Sequence, residues 1–221
     1  SQGIALYVGY PEYDGDHIYN TAAFFHEGRL LAKHRKQCLP NYRVFDEKRY
    51  FRSGTEATVV EYRGFRLGLL ICEDAWEPEP ARAARAAGAE LLLVCNASPF
   101  ELHKQRERER VMAERVLDVG LPAAYVNLVG GQDELVFDGN SFVMDARGEV
   151  VMRTPSHREG TWLAHFTRES GRVEPLRGDV AAELADVASV YQTLVLGVRD
   201  YVSKHRFPGV VIGLSGGVDS A

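Results

Sequence analysis

The run Leu67-Gly68-Leu69-Leu70-Ile71 stops abruptly at Cys72-Glu73-Asp74-Ala75-Trp76. A short unbroken apolar run of this kind suits a strand buried on both faces. A cysteine at the carboxyl end of such a strand, where the chain turns back toward solvent beside two acids, stands where α/β enzymes place reacting groups. The second marked feature is Gly213-Leu214-Ser215-Gly216-Gly217-Val218-Asp219-Ser220, a glycine-rich turn after the strand-like Val210-Val211-Ile212.

The pattern between these points predicts alternating strands and helices. Residues 4–10 read as a buried strand, and 18–26 with 29–34 as a hairpin around Glu27-Gly28. Residues 36–55 form a long aromatic, charged stretch without a period, and long ordered loops often carry function. Residues 58–62 and 65–71 read as strands around Arg63-Gly64, and 80–87 as a helix stopped by Gly88. A strand at 90–94, an amphipathic helix at 102–119 closed by Gly120, and a strand at 122–128 follow. Residues 141–145 and 150–153 flank the Arg147-Gly148 turn, and 161–166 read as a strand. Hairpins mixed with strand–helix–strand units indicate an α/β layered sandwich with mixed sheets. Beyond it, 167–178 is polar and holds Gly171, Pro175 and Gly178, as a linker does. Residues 180–206 predict a long helix and 209–214 a strand. The division expected is one domain at 1–166, a linker at 167–178, and the start of a second domain at 179–221.

Composition narrows the partners. A net charge of -5 over 221 residues gives no reason to expect nucleic acid or an anionic membrane. The arginine-rich stretch from Lys104 to Arg115 is interleaved with glutamates and reads as a solvated helix face. No apolar run reaches membrane-spanning length. Three cysteines do not make a disulfide framework, which favours a reducing cytoplasm. The first residue is Ser1, and both ends read as cuts through a longer protein.

A free cysteine is more often a small core hydrophobe than a nucleophile. Cys38 and Cys95 fit that description, since neither lies at a strand-to-turn junction beside charges. For Cys72 to react, it needs a nearby cation to favour the thiolate and a base to take its proton. Lys36, at the start of the long loop, is a candidate cation, although a lone lysine is usually a solvated surface charge.

The separated motifs Lys36-x-x-Leu39-Pro40-Asn41-Tyr42-x-x-Phe45-Asp46-Glu47-x-x-Tyr50-Phe51-x-x-Gly54, Cys72-Glu73-Asp74, Asn96-Ala97-Ser98-Pro99 and Tyr125-Val126-Asn127, running on to Phe137-Asp138-Gly139, stand in one order. Together they resemble the carbon–nitrogen hydrolase (nitrilase) superfamily, most closely the glutaminase domains of glutamine-dependent NAD synthetases. That resemblance implies an α-β-β-α sandwich and a Glu-Lys-Cys triad, with Cys72 as nucleophile and Lys36 as the lysine. It implies that a thiolate attacks the glutamine carboxamide, through an oxyanion that backbone N–H groups after Cys72 would help to hold. It places Tyr42, Ser98 and Lys104 on the glutamine, and Glu47 as a second acid orienting the lysine or the substrate. Lys36 is expected within hydrogen-bond or close ionic range of Cys72.

The triad glutamate of the superfamily lies well ahead of the lysine, so the chain is expected to begin after it. Glu12 is a tempting substitute but is set aside, because Ile18-Tyr19-Asn20-Thr21-Ala22-Ala23 resembles a later strand pair. Lacking that base and the first strands, this piece alone is expected to be inactive. Ser215-Gly216-Gly217-Val218-Asp219-Ser220 resembles the pyrophosphate loop of adenylating amidotransferases, in which glycines let backbone N–H groups approach an anion. The resemblance then implies ATP at 213–220, with Mg2+, in the first strand and turn of a Rossmann-like ATP-pyrophosphatase domain. No cofactor is expected to bind this piece tightly. The substrates implied are glutamine, ATP and deamido-NAD, and a homo-oligomer is implied because nitrilase-type domains commonly pair through helices. The rivals are a stand-alone nitrilase-type amidase and a non-catalytic piece.

Overall fold

A computed structural model describes residues 3–218. Strands β1 (Ala5–Asp14), β2 (His17–His26) and β3 (Arg29–Arg35) form one antiparallel sheet. A long loop with a single helical turn, α1 (Glu47–Tyr50), leads to β4 (Thr58–Tyr62) and β5 (Phe65–Ile71). A 3-10 turn at Cys72–Ala75 and helix α2 (Pro78–Ala86) precede β6 (Leu91–Asn96). Helix α3 (Lys104–Val119) leads to β7 (Ala123–Asn127), a small hairpin β8 (Val129–Gln132) and β9 (Leu135–Asp138), and then β10 (Phe142–Met144) and β11 (Val150–Arg153). The second sheet has six strands in the order β11-β10-β7-β6-β5-β4, with β5, β6 and β7 parallel and the outer pairings antiparallel. Hairpin β12 (Phe166–Glu169) and β13 (Arg172–Pro175) and helix α4 (Asp186–Lys204) complete the elements.

Strand β5 explains the layering. Alternate side chains point to opposite faces, and both faces are covered. Leu67 and Leu69 join Phe24, Val60 and Leu91 between the two sheets. Leu70 joins Leu92, Met112, Val116 and Tyr125 beneath the helices. The second residue of the run, Gly68, lets α2 settle on the sheet: a Cβ there would lie 2.9 Å from Ala89 Cβ and 3.1 Å from Ala84 Cβ.

Several expectations change in the folded chain. The strand predicted at 4–10 forms, but Leu6 and Val8 are 46% and 47% exposed. Only the alternate face, with Ala5 and Tyr7, packs against the second sheet. The stretch 167–178, read as a linker, carries the β12–β13 hairpin, whose Val173 is buried in the inter-sheet core. Residues 161–165 are irregular, and the strand begins only at Phe166. The long helix starts at Asp186 and not near 180, because 179–181 runs extended along β11 with Ala181 N–H donating to Arg153 O. Residues 209–214 form no strand: they are exposed, and no described strand lies alongside to pair with them. The β8–β9 hairpin was not foreseen; its Gly131 gives α4 room to approach at Gly197.

Replacing Gly68 by valine forces α2 off the sheet. Gly68→Val is expected to cost ~1–3 kcal/mol of stability, read as a lower denaturant midpoint at unchanged slope.

Candidate active site

The two-faced burial of β5 ends at Ile71, and the chain turns at once. Cys72 takes a left-handed backbone conformation, φ 45°, at the start of the 3-10 turn. A non-glycine residue held there stores strain on the order of 1–3 kcal/mol, and such outliers cluster at functional sites. Asp74 holds the turn: fully buried, it accepts Ile71 N–H at 3.0 Å on Oδ2 and Gln37 N–H and Cys38 N–H, each at 2.9 Å, on Oδ1. His34 Nε2, also fully buried, lies 2.9 Å from Asp74 Oδ2.

Lys36 enters from the other sheet. Its N–H donates to Asn20 O and its carbonyl accepts Gly54 N–H, both at 2.8 Å. A Cβ on Gly54 would lie 2.2 Å from Arg35 O, so only glycine lets the loop close over Lys36. The Lys36 side chain is almost wholly buried, and its ammonium donates to Glu47 Oε1 at 2.7 Å. Asn20 Nδ2 donates to Glu47 Oε2 at 3.4 Å.

Cys72, Glu73, Tyr42, Trp76, Ser98 and Lys104 line one cavity of about 280 Å³, with Leu135 of β9 in its wall. Three of them were proposed from sequence as substrate contacts. Tyr42 donates its hydroxyl to Glu73 Oε1 at 2.8 Å. The Lys104 ammonium lies 4.3 Å from the Trp76 ring centre and donates to Glu107 Oε2 at 2.8 Å. Ser98 is buried, its N–H donating to Asn127 Oδ1 at 2.8 Å.

Burial pushes the Cys72 thiol up to about 11. The charges of Lys36 and Arg108 pull it down, while Glu73 and Glu47 push it up. Glu73 is itself raised by burial, against the pull of the Tyr42 hydroxyl and Lys36. Burial, then the bond and charge of Glu73, raise the Tyr42 hydroxyl. Burial with the charges of Asp74, Glu77 and Glu73 lifts Cys38 to about 12. A thiol raised that far favours its protonated form at neutral pH, so any nucleophilic role for Cys72 would need a base. Glu12 does not offer itself: hydrogen bonds from Arg35, then Lys33 and Thr21, hold its carboxyl down at about 2.

Arg108 overturns a sequence expectation. It lies in the stretch read as a solvated face, yet it is buried, and its guanidinium donates to both Asp138 oxygens at 3.0 and 3.1 Å. The same group donates to Ser98 Oγ at 3.1 Å, Ser98 O at 2.9 Å and Pro99 O at 3.0 Å. It thereby fixes the Ser98 loop under the cavity. The helical spacing of Gln105, Arg108, Met112, Val116 and Val119 on one buried stripe held the signal. The opposite side of the helix stays exposed, with Arg110 donating to Glu114 at 2.6 Å.

Residues 213–218 lie elsewhere, exposed and irregular, and none of them lines the Cys72 cavity. Gly216 turns the backbone at φ 78°, and Gly217 N–H donates to Ser215 Oγ at 3.3 Å. Asp219 and Ser220 lie outside the described residues. Among the described residues no cluster of His, Cys, Asp or Glu could hold a metal ion, and no helix is long and apolar enough to cross a membrane.

A family model described as carbon-nitrogen hydrolase matches residues 1–173. The chain belongs to the carbon–nitrogen hydrolase family. A second model, NAD synthase, matches residues 190–221. Within the hydrolase family, the chain is 43% identical over 205 residues to the glutamine-dependent NAD(+) synthetase of Acinetobacter baylyi, covering 93% of this chain and 38% of that protein. It is 37% identical over 254 residues to the Thermotoga maritima enzyme of the same name, covering 99% and 43%. The solved glutamine-dependent NAD+ synthetase from Acinetobacter baumannii, in complex with ADP, superposes with a TM-score of 0.93 at 40% identity, over 100% of this chain and 42% of that one. An amidase of the nitrilase superfamily from Nesterenkonia superposes with a TM-score of 0.63 at 32% identity, over 69% and 58%. The chain thus spans about two fifths of the length of the synthetases it matches.

Removing the Arg108 charge strands Asp138. Arg108→Met is expected to cost ~3–5 kcal/mol, and Asp138→Asn in the same chain to restore part of it, as a double-mutant cycle in denaturant would read. Iodoacetamide alkylation of Cys72 and of Cys38 is expected to keep accelerating past pH 9, because burial raises both thiols well above the free value. Peptide mass spectrometry across pH separates the two.

Proposed function

We propose that this chain carries the glutamine-hydrolysing part of a glutamine-dependent NAD synthetase. The observation that supports this most is the meeting of Cys72, Tyr42, Ser98 and Lys104 around one cavity, with the paired charges of Lys36 and Glu47 both felt by the thiol. Cys72 is the nucleophile. Its proton passes to a general base, which the resemblance implies is a glutamate. Sulfur then bonds to the side-chain carboxamide carbon, and the carbonyl oxygen becomes an oxyanion that Lys36 stabilises. As the oxyanion collapses, the C–N bond breaks and ammonia leaves with a proton returned from the base. A γ-glutamyl thioester remains, and water cleaves it to glutamate and free thiol. Glu47 orients the Lys36 ammonium. Tyr42, Ser98 and Lys104 hold the glutamine.

Ammonia would then serve a second site, where residues 213–220 contribute backbone N–H groups to the pyrophosphate of ATP. The open glycine turn at Gly216 suits that role, since nothing lies within 4 Å of a Cβ built there. There ATP, with Mg2+, would activate the deamido-NAD carboxylate as an adenylate with release of pyrophosphate, and ammonia would displace AMP to give the amide of NAD. The match of residues 190–221 to NAD synthase supports this, and the ADP held by the Acinetobacter baumannii relative fits it. The stand-alone amidase reading is weaker, because the Nesterenkonia amidase matches 69% of the chain against 100% for the synthetase. We place the protein in the cytoplasm, which the three free cysteines suit, and as a homo-oligomer on the family resemblance.

In the complete natural polypeptide, Cys72→Ala is expected to abolish glutamine-dependent NAD formation and to leave ammonia-dependent formation largely intact. Loss of both in a folded protein would sink the two-site reading. A glutamine-analogue electrophile should label Cys72, with Cys38 and Cys95 unmodified by peptide mass spectrometry.

A further inference from the structure

Lys36 and Cys72 stand on different sheets. Lys36 follows β3 of the three-stranded sheet, and Cys72 follows β5 of the six-stranded one. No backbone ladder joins β3 to β5, so strand pairing does not set how far one slides along the other. The apolar side chains between the sheets hold them together, but apolar contact is non-directional. The Tyr7 hydroxyl, donating to Leu70 O at 3.0 Å, ties β1 to β5, not β3. Tyr42 bonds Glu73 further along the loop, and the Thr58 hydroxyl donates to Lys33 O at 3.3 Å, but the directional bonds to the residues flanking both Lys36 and Cys72 meet on Asp74. Its Oδ1 takes the N–H groups of Gln37 and Cys38, just after Lys36. Its Oδ2 takes the N–H of Ile71, just before Cys72, and faces His34 Nε2 from the strand before Lys36.

We propose that Asp74, backed by His34, is a positioning residue that sets the Lys36 ammonium against the Cys72 thiol. This rests on the reading of Cys72 and Lys36 as the reacting pair. A carboxylate only accepts hydrogen bonds, so its two oxygens can gather four donors from two segments. His34 Nε2 therefore carries its proton toward Asp74, while Nδ1 sits 3.3 Å from Thr58 Oγ1 on β4. Asparagine at 74 keeps the shape but turns an amide N–H2 toward at least one of these donors. The segments then lose a shared anchor while the apolar core stays in place. A misplacement of about 1 Å between reacting groups costs on the order of 10²-fold in rate.

The test uses the complete natural polypeptide, with kcat and KM for glutamine hydrolysis, the pH profile of Cys72 alkylation by iodoacetamide, and thermal melting. Asp74→Asn is expected to lower kcat on the order of 10²-fold with KM within a few-fold. Its alkylation profile should move to higher pH, since a displaced Lys36 no longer favours the thiolate. A parental kcat, or a lowered kcat with an unmoved alkylation profile, overturns the proposal. Should Asp74→Asn not fold, the His34 series decides: His34→Gln, which keeps a donor toward Asp74, should retain more kcat than His34→Ala. Equal rates in both, or a parental rate in His34→Ala, overturn it. Cys72→Ala run alongside separates the two layers. Persistent hydrolysis in Cys72→Ala defeats the nucleophile reading itself, whereas its loss with an unaffected Asp74→Asn defeats only the positioning role.

Discussion

Everything in this chain is arranged around a strand buried on both faces. Leu67 and Leu69 look into the space between the sheets, and Leu70 looks beneath the helices. A strand so enclosed cannot shift by one residue without exchanging its two faces, so its end point is fixed. That end point is Cys72. The residue is delivered to the rim of the sheet at a constant height and then forced into a left-handed turn by the bond from Ile71 N–H to Asp74. The position of the sulfur is a consequence of core packing, and the loops supply what surrounds it.

What surrounds it is electrostatically divided. Lys36 and Arg108 lower the thiol, while burial, Glu73 and Glu47 raise it, and the outcome near 11 favours the protonated form. A permanently ionised thiolate would be open to any electrophile that enters. In the proposed reaction a protonated thiol waits for a base, after which sulfur and the Lys36 ammonium would act together on a bound carbonyl. The nearly buried Lys36 ammonium is itself paired, donating to Glu47 Oε1 at 2.7 Å, since a charge taken out of water is costly without a partner.

The sequence carried the parts of this arrangement that depend on local pattern. An apolar run bounded by turns exposed β5, β6 and the position of Cys72, and Gly120 closed α3 as expected, at φ 65° and with its N–H on Val116 O. Parts that depend on distant partners were hidden. Arg108 vanished into a stretch of alternating charge, where composition argues for solvent. Only its place on the buried stripe, opposite Asp138 from a strand thirty positions on, makes it interior. Residues 209–214 have the β-branched composition of a strand, but a strand exists only beside another strand. The β12–β13 hairpin was concealed in the opposite way, since its polar sequence buries little beyond Val173. Asp74 stood in plain view beside Cys72, yet nothing local announces that its donors lie before and after Lys36.

The same long-range bonding reaches the boundary between the two family matches. Leu135 of β9 is part of the cavity wall, and Asp138 at the end of that strand holds Arg108 under Ser98. The partner strand β8 is gripped in turn by α4: Asp200 accepts Gly131 N–H at 2.8 Å, and the Lys204 ammonium donates to Gly131 O. Gly197 on the helix meets Gly131 on the strand, where a Cβ built on Gly131 would lie 3.2 Å from Gly197 Cα. His157 reaches Thr193 one turn earlier, at 2.8 Å. Asp200, Gly197 and Thr193 all belong to the segment that matches NAD synthase, whereas Gly131 and Leu135 belong to the hydrolase match. The wall of the thiol cavity is therefore built by one family and braced by the other. The boundary between the two matches runs through a packed, hydrogen-bonded contact and not through a free linker.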